Sequence, residues 1–147
     1  MRRLVTLTLA LVASASAALA QAQAPSEPVT VESYYRIKWG AADEFKRLYK
    51  LNHQPILKEM QRQGFITDMK MDEPFTHMAG GPRWDLRVTI TYRDPLSAVV
   101  AGGAFDKASD VAKTRLYRDQ AKLKADEAMR FGLLEDHWDV IVTRVEP

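Results

Sequence analysis

Residues 84–92, WDLRVTITY, constrain this chain more than any other stretch. Trp84, Leu86, Val88, Ile90 and Tyr92 alternate strictly with Asp85, Arg87, Thr89 and Thr91. Successive side chains of a strand point to opposite faces. This segment therefore has to be a strand with an apolar core face and a polar second face. Val29 to Trp39 repeats the pattern, with Val29, Val31, Tyr35 and Ile37 on one side and Glu32, Tyr34, Arg36 and Lys38 on the other. Two such strands side by side give a sheet with one buried face. The second face is then solvated surface, an interface, or the lining of a site.

The rest of the chain supplies what covers the first face. Ala41 to Gln63 carries Phe45, Leu48, Tyr49, Ile56, Leu57 and Met60 near a 3.6-residue period and reads as a helix. Pro55 lacks a backbone donor and crowds the preceding turn, which predicts a kink or break near Asn52 to Gln54. Gly64 is placed as the C-cap. Phe65 to Asp72 reads as a strand, and Glu73 to Pro82 as a turn-rich loop. Asp94-Pro95 fits an N-cap followed by proline at the first helical position, opening a short helix to about Ala101. Gly102-Gly103 breaks it. A longer charged helix runs from Phe105 or Ser109 to Arg130, its Lys113–Arg130 stretch a solvated face, and His137 to Val145 is a final strand. The order β-α-β-β-α-β is that of the ferredoxin-like α+β fold. It places the first and third strands at the centre of an antiparallel sheet, with the helices on one face.

The first twenty residues stand apart. Arg2 and Arg3 precede an apolar run that ends in Ala18-Leu19-Ala20, the layout of a cleaved secretory signal peptide. Cleavage is expected after Ala20, or else after Ala22. Residues 21–28 then form a loose leader and 29–147 the domain, in a periplasmic or secreted protein. The run is short for a membrane span. With no cysteine in the chain, lipoprotein anchoring and disulfides are excluded. Removing the signal takes two arginines with it and leaves 19 basic against 19 acidic residues. That balance offers no electrostatic attraction to nucleic acid or to anionic membranes.

The element order resembles that of the dimeric α+β barrel superfamily, which includes EthD-like and NIPSNAP-like proteins and antibiotic-biosynthesis-type monooxygenases. The stretch Tyr49-Lys50-Leu51-Asn52-His53-Gln54-Pro55-Ile56-Leu57 is similar to the His-x-Pro-hydrophobic segment on the first helix of EthD-like proteins. The resemblance implies a homodimer formed through the sheet and marks His53 as a candidate catalytic or ligand-contacting residue near a cavity between helix and sheet. It also brings in a haem held by one histidine, with Met69, Met71 and Met78 as pocket lining, although nothing in the residues requires a cofactor.

The candidate ligand-binding residues are Tyr34, Arg36, His53, Trp84 and Arg87. Arg36 and Arg87 could hold a carboxylate by forked hydrogen bonds, or could simply pair with Glu32 and Asp85. Trp84 could wall a pocket or pack in a core, as could Trp39 and Trp138. His77 sits in the glycine-rich loop and His137 at the start of the last strand. The three histidines match no local metal-ligand spacing, so no metal is expected. No Gly-x-Ser-x-Gly elbow, phosphate-binding loop or dinucleotide fingerprint is present. These features point to an exported small-molecule-binding barrel of unassigned activity. The alternatives are a cofactor-free oxygenase or isomerase-type enzyme, a haem-binding variant, and a structural dimer without a ligand.

Overall fold

A computed structural model of the chain describes residues 27–76, 78–143 and 145. The expected signal peptide, most of the leader segment and His77 lie outside the described residues. Four strands form one antiparallel sheet: β1 (Val29–Ile37), β2 (Ile66–Asp72), β3 (Leu86–Tyr92) and β4 (Leu134–Val142), in the order β2-β3-β1-β4. β1 and β3 are central, as expected for the ferredoxin-like arrangement. Tyr35 pairs with Leu86, Val31 with Ile90 and Tyr34 with Arg87.

Alternation then divides the sheet into two faces. Tyr35, Ile37, Leu86, Val88 and Ile90 turn to the helices and are buried. They meet Phe45, Tyr49, Leu57, Met60 and Ala112, with Met69 and Met71 of β2 packed at the side. Tyr35 packs its ring on Phe45 at 5.2 Å and edge-on to Tyr49 at 6.0 Å. Burying several large side chains of this kind, each worth about 1.5–3 kcal/mol, is what holds the helices on this face. The opposite face carries Glu32, Tyr34, Arg36, Arg87, Thr89 and Thr91.

The first helical segment differs from a simple broken helix. α1 (Ala42–Leu48) runs through a π-helical turn (Tyr49–His53) into α2 (Gln54–Arg62) without interruption. The irregularity falls at the predicted place, but the chain absorbs Pro55 by widening one turn. The Gln54 N–H donates to the Tyr49 carbonyl five residues back. Pro55 has no N–H for the Leu51 carbonyl; the Tyr117 hydroxyl meets it instead, 3.0 Å from the Leu51 oxygen and 2.8 Å from that of Asn52. Asn52, also buried, donates to Asp126 at 3.1 Å. The widened turn is thus braced from the far side of the domain.

The second crossover is α3 (Pro95–Val99), α4 (Ala104–Leu116) and α5 (Gln120–Gly132). Asp94 caps α3 by accepting from the Ser97 N–H at 2.8 Å. The single long helix expected up to Arg130 is two helices. Tyr117 leaves helical geometry to reach the π turn, and Asp119 starts α5 by accepting from the Lys122 N–H at 2.8 Å. Nor is 113–130 wholly a solvated face, because Leu123, Asp126 and Arg130 are buried.

Candidate functional site

The structure separates the residues singled out from the sequence into two groups. His53 lies on the helix-facing side of the sheet. Tyr34, Arg36 and Arg87 lie on the other, and Trp84, which the alternation puts on the core face, joins them because it precedes β3 and turns its ring to Tyr34. The single pocket expected to join them does not form within one chain, since the β1–β3 pairing that turns Tyr35 inward turns Tyr34 and Arg87 outward.

On the outward face the cluster is dense. Tyr34 stacks on Trp138 with ring centroids 5.4 Å apart and meets Trp84 edge-on at 5.9 Å. Its hydroxyl donates to Glu32 at 2.5 Å, and that hydrogen bond pushes the phenol above its ordinary pKa. Arg87 donates to Asp72 at 3.0 Å, approaches Glu32 at 3.7 Å and lies over the Trp84 ring. Arg36 bridges Asp136 at 3.3 Å and Glu135 at 3.6 Å. The pairing of Arg36 and Arg87 with Glu32 and Asp85 is realised only for Arg87 with Glu32. Asp85 instead accepts from the Ile37 N–H and pairs with the buried Arg83, whose guanidinium also donates to the Ile37 carbonyl and covers Trp39. Trp84 reaches one further place. With Trp39, Lys46, Glu73 and Asp85 it lines an open cleft of about 330 Å³ at the end of the sheet. The bare charges needed for anion capture on this face are already neutralised by neighbours.

The inward group is different in kind. The π turn aims His53 and Tyr49 at the interior, their rings 5.0 Å apart. β4 contributes His137, paired in register with Tyr35, and the two rings stack at 4.5 Å. The last turn of α5 contributes Arg130, only 2% exposed. Its guanidinium lies 5.5 Å from the Tyr49 ring centroid, 5.7 Å from that of Phe45 and 4.5 Å from that of Phe131. Burial, reinforced by the positive charges of Arg130 and Lys113, lowers the His53 pKa to about 4, so the imidazole is neutral at pH 7. Burial likewise raises Tyr35 and Tyr49, whose hydroxyls keep their protons.

Three buried atoms here have no hydrogen-bond partner among the described residues: the Tyr49 hydroxyl, Arg130 Nε and His137 Nε2. Nearly all buried polar groups in folded proteins are paired. Three such orphans fall in this cluster, and two more, Arg36 Nε and Arg87 Nε, fall on the outward face. A haem does not fit the inward cluster. The space beside His53 is filled by Tyr35, Phe45, Tyr49 and Leu57, and Met71 already accepts from Gln54. No three His, Asp or Glu side chains converge to metal-binding distance among the described residues.

Arg130 is the residue that sequence reasoning passed over. The signal was present in Leu123, Asp126 and Arg130, which sit at i, i+3 and i+7 on one helical face. Once Leu123 is placed inward, the two charges follow it.

No protein-family model matches the sequence, and no curated protein matches it. Solved structures share its fold. A dimeric ferredoxin-like protein from an uncultured marine organism has a TM-score of 0.50 at 7% identity, covering 82% of this chain and 93% of that one. An EthD-family protein from Bacillus halodurans has a TM-score of 0.49 at 20% identity, over 80% of this chain and 99% of that one. A NIPSNAP family protein from Agrobacterium tumefaciens has a TM-score of 0.46 at 16% identity, over 82% and 89%. The likeness to the marine structure is one of fold: a ferredoxin-like α+β domain.

Proposed function

We propose that the protein is an exported homodimer that binds a small molecule between its helices and the inward face of its sheet. The observation that carries this reading is the cluster of Tyr49, His53, Arg130 and His137, with its buried unpaired polar atoms inside an aromatic wall. A pocket with an apolar lining and a few convergent polar groups is the usual form of a small-molecule site. Export rests on the composition of residues 1–20. Dimerisation is supported by the helix-free face, where Tyr34, Trp84 and Trp138 are flanked by the exposed Val140 and Val142. The description of the marine structure as a dimeric protein agrees with it.

Native mass spectrometry of the protein from a periplasmic extract tests the reading. The expected result is a dimer lacking residues 1–20 and carrying an additional mass that is lost on denaturation. His53→Ala, which removes the imidazole beside Tyr49, should remove that mass and leave the dimer. A monomer without bound mass would overturn the proposal.

A further inference from the structure

Trp39 and Trp84 emerge at the same end of the sheet, because β1 ends at Ile37, β3 begins at Leu86, and the two strands are antiparallel neighbours. With Lys46, Glu73 and Asp85 the two rings line the open cleft of about 330 Å³, a volume in the range of small-molecule sites. Trp39 is 75% exposed, and Arg83 covers one face of its ring at 4.3 Å from the centroid, which leaves most of the indole in water. A single exposed tryptophan means little. This one stands at a cleft beside a carboxylate that the fold holds in place. The Ile37 N–H donates to Asp85 Oδ2 at 2.7 Å, and Arg83 donates to the same oxygen through Nε at 3.3 Å and Nη2 at 3.1 Å. None of the three bonds uses Oδ1, which keeps its lone pairs for another donor.

We propose that this cleft binds a neutral sugar, whose C–H face packs on Trp39 and whose hydroxyls meet Asp85, Glu73 and Lys46. The site is separate from the inward cluster and does not depend on it. Charge decides the class of ligand. Asp85 is matched by Arg83 at 3.1 Å, and Glu73 by Lys46 at 3.2 Å. Neither pair leaves a charge over to select an anion or a cation. A flat apolar ligand is also disfavoured, because it would strip water from an ammonium and two carboxylates and return no hydrogen bond. A sugar replaces that water. Its hydroxyls donate to the carboxylate oxygens and accept from the Lys46 ammonium, while its C–H groups meet the negative face of an indole. Asp85 is already fixed by its three bonds, so ordering it costs the ligand nothing further.

The test titrates glucose, galactose, mannose, xylose, N-acetylglucosamine, maltose and cellobiose into the full-length protein and follows the tryptophan indole N–H signals by nuclear magnetic resonance. Glucosamine, glucuronate and indole serve as the cationic, anionic and apolar comparison probes. At least one neutral sugar should saturate the protein, shifting the Trp39 and Trp84 signals ahead of that of Trp138, which lies outside the cleft. It should bind at least about tenfold more tightly than any of the three comparison probes. Trp39→Ala should weaken that binding about tenfold, and Lys46→Met, which removes one donor, should weaken it less. Trp39 is exposed, so its replacement should leave the melting temperature close to that of the wild type; if the variant fails to fold, the indole shifts of the wild type decide alone. The absence of a saturating shift with every neutral sugar would overturn the proposal, as would sugar binding that moves Trp138 first or survives unchanged in Trp39→Ala. Tighter binding of glucosamine or glucuronate would reveal an unbalanced charge in the cleft, and tighter binding of indole an apolar slot; each would overturn it too.

Discussion

The Tyr117 hydroxyl lies 3.0 Å from the carbonyl of Leu51, the oxygen that Pro55 leaves without its helical donor. One side chain thereby repairs a defect on a helix 66 residues away in sequence. Tyr117→Phe keeps the ring and removes only the donor. Leaving a buried carbonyl unpaired costs about 1–3 kcal/mol, and less here because Leu51 is exposed. The expected loss is about 1–2 kcal/mol in urea denaturation, with faster amide exchange confined to residues 49–53. An unchanged midpoint and exchange pattern would mean that the π turn stands without its brace.

The end of α2 makes a second, purely local prediction. The Gly64 N–H donates to the Gln61 carbonyl and the Phe65 N–H to that of Met60, each at 3.0 Å, with Gly64 at φ +78°. This is a Schellman ending, which requires left-handed backbone at that one residue. A Cβ at Gly64 would meet nothing within 4 Å, so the cost of Gly64→Ala is backbone strain alone, about 1–2 kcal/mol. Gly64→Asn should cost less. Equal melting temperatures for wild type and both variants would contradict the assignment.

The sequence made the sheet legible because its signal is local. Period-two alternation at 29–39 and 84–92 names the faces directly, and the N-cap at Asp94 and the glycine at 64 mark helix ends by their own chemistry. The π turn, the split at Tyr117 and the burial of Arg130 depend on contacts between segments far apart in the chain. Pro55 shows where a helix is disturbed, but not that Tyr117 and Asn52–Asp126 make a wide turn preferable to a break. For the same reason five site candidates fell on two faces. Helix 42–62 and strands β1 and β3 were each read correctly, but which side of the sheet received His53 was set by packing.

His53 gives a pH prediction with a defined sign. Its pKa in the folded protein, about 4, lies below its ordinary value of 6.5, because burial and the charges of Arg130 and Lys113 disfavour the imidazolium. The unfolded chain therefore binds a proton that the folded chain refuses. Stability from this group is complete above pH 6.5, falls as the pH drops towards 4, and changes no further below that. The span corresponds to at most about 3 kcal/mol. Glu59, held near 2 by hydrogen bonds from Arg62 and Gln63, begins to lose its contribution as the pH falls through its ordinary value of 4.5, so the His53 slope is read above that value. Unfolding free energies measured from pH 7.5 down to about 5.5 should slope for the wild type and flatten for His53→Gln. Parallel curves would show that His53 is solvated.

The outward face makes the last prediction. Val140 pairs in register with Glu32, beside the Tyr34–Trp138 stack, and is 41% exposed. If two copies meet through this face, Val140 is enclosed by the partner sheet, and an aspartate there must be buried without a counter-charge next to Glu32. Such a burial costs several kcal/mol, enough to dissociate a dimer of moderate affinity. Val140→Asp should therefore run as a folded monomer in sedimentation while its circular dichroism is unchanged. Val111→Asp serves as the control, because Val111 is 69% exposed on α4, away from the sheet, and should leave the dimer intact. If Val111→Asp gave the monomer and Val140→Asp did not, the helices rather than the sheet would form the interface. The Tyr34–Trp84–Trp138 cluster would then face solvent, with Arg87 and Arg36 held only by the acids beside them.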